Sequence, residues 1–73
     1  MAELSAKVAV VATIHHMGFK LREAHDIVAE AWELANGDEP EAIRFAATEA
    51  RERLVDRLAE AAGEAVKQAA ARR

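Results

Sequence analysis

The stretch Asn36-Gly37-Asp38-Glu39-Pro40-Glu41 constrains this chain more than any other, because its six residues can stop one helix and start another. Gly37 can take the left-handed conformation that closes a helix C-terminus. Asp38 stands where an N-cap belongs, and Glu41, three residues on, completes a capping box. Pro40 falls in the first turn, where its missing N–H is not needed. The pattern predicts a helix boundary here; it sets architecture without setting activity.

Around this boundary, apolar spacing predicts three helical segments. The first runs from about Glu3 to His16, with Leu4, Val8, Val11 and His15 on one face and Val10, Ile14 and Met17 on the adjoining one. Val8 to Ile14 is rich in β-branched residues, but it lacks polar alternation and a partner strand, so helix is the better reading. Gly18 breaks the chain. Leu21 to Ala35 then repeats Leu21, Ala24, Val28, Ala31 or Trp32, and Ala35 at helical spacing, with Ile27 and Leu34 widening the stripe toward cover on two sides. Trp32 is expected to anchor the core of the hairpin, with an interface hot spot as its alternative.

The third segment, Glu39 to about Ala71, contains no strong breaker except Gly63. Its expected stripe is Ile43, Ala47, Ala50, Leu54, Leu58, Ala61 or Ala62, Ala65, Val66 and Ala69. Glu49–Arg53, Arg57–Glu60 and Glu64–Lys67 are spaced to pair along the outer face. Unbroken, this helix is about twice as long as either neighbour. Two outcomes stay open: a break near Gly63 that makes a fourth helix, or a continuous helix whose far half packs against another copy. The expected fold is therefore all-α, one domain over residues 1–73, a three-helix bundle with a long third helix.

Seventy-three residues lie near the size at which one core barely suffices. Without cysteine, neither disulfides nor thiolate metal sites can help. Net charge is −3, and the halves divided at Gly37 carry three cations against five anions and seven against eight. Neither half is basic, which argues against nucleic acid. The local excess of Lys67, Arg72 and Arg73 suits a helix C-terminus. The longest apolar run, Val8 to Ala12, is too short to span a membrane, and Glu3 spoils a signal-peptide n-region. A soluble, cytoplasmic protein is expected. The narrow alphabet of alanine, glutamate and arginine is similar to that of de novo designed helical proteins, although GC-rich codon usage can produce it too.

Met17-Gly18-Phe19, then Ala24, Ile27 and Val28, then Asn36-Gly37-Asp38 and Glu41-Ala42-Ile43 form a pattern over about half the chain. It resembles the ubiquitin-associated (UBA) superfamily, whose three short helices are joined by an M-G-F-type loop and an N-G-D-type turn. The resemblance implies a protein-binding adaptor that uses Met17, Gly18 and Phe19. This chain departs from the pattern in its longer second helix, and in Phe45-Ala46-Ala47 where the superfamily has large hydrophobics.

Site chemistry is sparse. His15 and His16 are sequence neighbours and point about 100° apart, so a metal or haem site would need His15 together with His25 across the Gly18 break. Capping of the first helix by His15 and His16 is the simpler role. Ser5, Thr13 and Thr48 have no evident His–acid partner, and no glycine-rich phosphate loop is present. Helix–turn–helix DNA binding is excluded by Asp38, Glu39 and Glu41 at the start of the would-be recognition helix. No catalysis and no cofactor are expected. The leading reading is a non-catalytic scaffold or interaction module that forms a homodimer or binds another protein through Leu58, Ala62 and Val66. A UBA-like adaptor and a His-based metal or haem binder are the alternatives.

Overall fold

A computed structural model describes residues 5–72 as three helices: α1 (Ala6–His16), α2 (Leu21–Leu34) and α3 (Glu39–Ala71). Leu4, the expected start at Glu3 and Arg73 lie outside the described residues. Among those described there is no strand, and no helix is long and apolar enough to cross a membrane.

Each break follows from backbone chemistry. Ser5 caps α1 by accepting the Val8 N–H on its hydroxyl at 3.2 Å. Gly18 follows α1 at φ +109° and donates to the His15 carbonyl. At the end of α2, the Asn36 N–H reaches the Glu33 carbonyl and the Gly37 N–H reaches the Trp32 carbonyl, both at 3.1 Å, which is the Schellman pattern. Asn36 joins Gly37 in the left-handed region, at φ +53° and +80°. The left-handed step is therefore shared rather than carried by Gly37 alone, as a short polar residue allows.

The capping box expected at α3 is not made. Asp38 has the extended backbone of an N-cap, but its side chain accepts no cap hydrogen bond. Glu41 instead accepts from Arg44 Nη1 at 2.6 Å. Pro40 and the acidic first turn still favour starting the helix here.

The core is small and rich in alanine. Val11 and Ile14 of α1, Phe19 of the loop, and Ala24, Ile27, Val28 and Ala31 of α2 are buried, with Ala42, Ala46 and Ala50 of α3. Alanine on both faces lets α2 and α3 approach closely, and theirs is the most extensive helix contact. Trp32 and Leu54 pack against this cluster from partly buried positions, so Trp32 borders the core rather than centring it.

One expectation about α3 changes, and one open alternative is decided. Its buried line is Ala42, Ala46 and Ala50, which leaves Ile43 and Ala47 of the expected stripe exposed. The smaller side chain wins the contact because the helices pack too closely for isoleucine. There is also no break at Gly63: α3 runs straight through it for 33 residues, about 50 Å at 1.5 Å per residue. From Val55 to Arg72 every residue is exposed. The molecule accordingly measures 59 × 26 × 15 Å with a radius of gyration of 16.1 Å, whereas a compact chain of this length has about 11 Å.

Candidate interaction surfaces

An ionic cluster closes the bundle where α3 leaves it. Glu23 of α2 accepts from Arg53 Nη1 at 3.0 Å and from Arg57 Nη2 at 2.5 Å. Arg53 also holds Glu49 at 2.8 Å, the expected helical pair. The pair expected between Arg57 and Glu60 gives way to the bond across helices, and the Arg57 guanidinium lies over the Phe19 ring at 4.6 Å. Hydrogen bonding from Arg57, then from Arg53, holds the Glu23 carboxyl below its ordinary pKa, outweighing partial desolvation. Arg53 is pushed further above its own high value, chiefly by Glu49 and then by Glu23. All these groups are committed to one another, and the cluster is structural.

Of the three hydroxyls considered as nucleophiles, Ser5 and Thr13 are likewise engaged, and Thr48 lines a small groove between α2 and α3. Ser5 serves as the N-cap, and the Thr13 hydroxyl donates to the Ala9 carbonyl at 2.8 Å. Ser5 was expected inside the first helix and is instead its N-cap, a role that a hydroxyl residue just before the first apolar turn could have signalled.

His15, His16 and His25 line a single groove between α1 and α2 of about 510 Å³. His15 Nδ1 lies 2.8 Å from the Phe19 carbonyl. A carbonyl only accepts, so Nδ1 carries a proton and His15 ties the Gly18 loop back to α1. Among the described residues no group of three or more His, Cys, Asp or Glu is gathered closely enough to hold a metal ion. The remaining lining is mainly apolar, with Val8 and Leu21 each about half exposed.

A second groove, of about 360 Å³, runs between α1 and α3 past Val10, Ile14, Met17, Ile43, Ala47 and Arg51. Of the loop residues Met17, Gly18 and Phe19, Met17 is 41% exposed and borders this groove, whereas Phe19 is 1% exposed. Phe19 belongs to the core, and a partner could touch only Met17 and Gly18. Leu34 and Phe45 flank a third and smaller groove between α2 and α3.

Beyond the bundle, Leu58 and Val66 are 67% and 68% exposed, and Ala62 between them is exposed as well. In the heptad that places Val55 and Leu58 at a and d, Ala62, Ala65 and Ala69 continue the seam. Asp56, Arg57, Glu60, Glu64 and Lys67 all fall at b, c or f, on the opposite side, while Val66 flanks the seam at e and Arg72 ends it at d. Against known proteins, the chain matches no family model, no curated protein and no solved structure.

Proposed function

We propose that the chain is a non-catalytic helical interaction module that associates with a second copy of itself through the exposed half of α3. The observation that carries this reading is a seam of Val55, Leu58, Ala62, Ala65 and Ala69 left in solvent and flanked by Val66, with the charges from Asp56 to Lys67 on the other side and Arg72 at its end. A bundle this small has no internal use for such a seam, and a two-fold axis makes it complementary to itself. The nearly balanced charge of both halves favours a protein partner over nucleic acid. The narrow residue alphabet, together with turns that agree with the helix pattern, supports a designed origin for the scaffold.

Size-exclusion chromatography with light scattering tests the proposal. A dimer mass at micromolar concentration, reduced to the monomer by Val66→Glu, is the expected result. A monomer mass at high micromolar concentration, with Val66→Glu leaving stability unchanged, overturns it. The adaptor reading draws on the exposure of Met17, and titration with ubiquitin that shifts resonances around Met17 and Gly18 would favour it instead.

A further inference from the structure

Resting on the self-association just proposed, the geometry points to one arrangement of the second copy: antiparallel, with the far half of each α3 seated in the α1–α3 groove of the other. Three observations converge on this seat. The first is direction. At about 100° per residue, Leu58, Ala62, Ala65 and Ala69 all point within about 40° of the mean direction of Ala47 and Arg51. Phe45 points about 140° away, and the buried line of Ala42, Ala46 and Ala50 about 120° away. The exposed seam therefore continues into the α1–α3 groove, whose lining from α3 includes Ala47 and Arg51.

The second is length. Residues 39–54 of α3 are packed in the bundle and residues 55–72 are exposed, two spans of nearly equal size. Laid antiparallel about a point near residue 55, each exposed half runs beside the packed half of the other copy, and neither leaves a remainder. A parallel pairing joins the two exposed halves and leaves both α1–α3 grooves open.

The third is shape. The groove presents Met17 and Ile43, 41% and 39% exposed, and in the antiparallel register Ile43 meets the part of the partner's seam made of Ala65 and Ala69. Large side chains on one copy then fill the space above small ones on the other, and the two-fold repeats the seat. Arg51, the charged residue lining this groove, can lay its stem along the seam and keep its guanidinium in water.

The chain lacks cysteine, so a single spin label introduced through Ala70→Cys, at an exposed position outside the seam, reads the arrangement directly. The antiparallel seat places the two labels about 45 Å apart, and a parallel pair brings them within about 25 Å across helices 8–10 Å apart. In parallel, Met17→Glu and Ile43→Glu should each weaken the dimer at least tenfold in sedimentation equilibrium, with the helical circular dichroism signal retained. A long distance with weakened groove variants is the expected result. A short distance, or a dimer indifferent to both groove variants while still sensitive to Val66→Glu, overturns the seat and leaves self-association standing. A monomer mass with no dipolar coupling overturns both.

Discussion

Glu23 joins two helices through a single carboxylate shared by Arg53 and Arg57, and acid should reveal it. Its folded pKa lies below the ordinary glutamate value, which is about 4.3. A depressed folded pKa means that the stabilisation is complete above the unfolded value and is lost as pH falls through that value toward the folded one. The melting temperature should therefore fall between about pH 5 and pH 3 more steeply in the native chain than in Glu23→Gln. Parallel curves would mean that the cluster does not form in solution. Phe19, under the Arg57 guanidinium and 1% exposed, is the other residue on which this corner depends. Phe19→Ala should remove about 3–5 kcal/mol, comparable with the whole stability of a domain this small. Far-ultraviolet circular dichroism should then show an unfolded or barely folded chain; a cooperative transition near the native midpoint would contradict the packing.

Among the elements, α3 is the one whose continuity matters, and Gly63 tests it. A Cβ added there meets nothing within 4 Å, and its φ is not left-handed. Gly63→Ala should thus stabilise the helix by up to about 1 kcal/mol, seen as a gain in helical signal and melting temperature. Destabilisation would place a turn at that residue. At the other end of α3, Asp38 accepts no cap hydrogen bond. Asp38→Ala should lose mainly the interaction of its charge with the helix dipole, about 0.3–1 kcal/mol. A loss approaching 2 kcal/mol would show that a side-chain cap forms after all.

For the whole molecule, the exposed half of α3 is separable from the bundle's own stability. Ending the chain after Glu60 removes, among the described residues, only exposed ones. In dilute solution the bundle, followed by the fluorescence of Trp32, should shift by no more than about 0.5 kcal/mol, as for other surface changes. The full chain should melt higher as its concentration rises, because assembly is linked to folding by mass action, and the shortened chain should not. Equal concentration dependence in both would move the association away from α3.

The order and type of the helices were determined by residues acting on their neighbours. Gly18, the Asn36-Gly37 pair and Pro40 punctuate the chain through their own backbone preferences, and apolar spacing fills the intervals, so α3 begins at Glu39 and ends at Ala71 as its pattern implies. The choice of face was not local. Ile43 and Ala47 were expected inside along with Ala50, yet Ala42 and Ala46 are buried beside Ala50 instead. Hydropathy ranks isoleucine above alanine, whereas the extensive contact between α2 and α3 selects for smallness. Phe19 is a similar case. Its neighbours in sequence suggest an exposed loop, and only the closure of α1, α2 and α3 around it, with Arg57 above, makes it core. The candidate surface divides in the same way. The seam of Leu58, Ala62 and Val66 is legible from its periodicity, because charge and apolarity alternate with the turn of one helix. That Met17 and Ile43 line a groove continuous with that seam depends on where α1 packs, and packing between helices is a long-range choice that no single segment encodes.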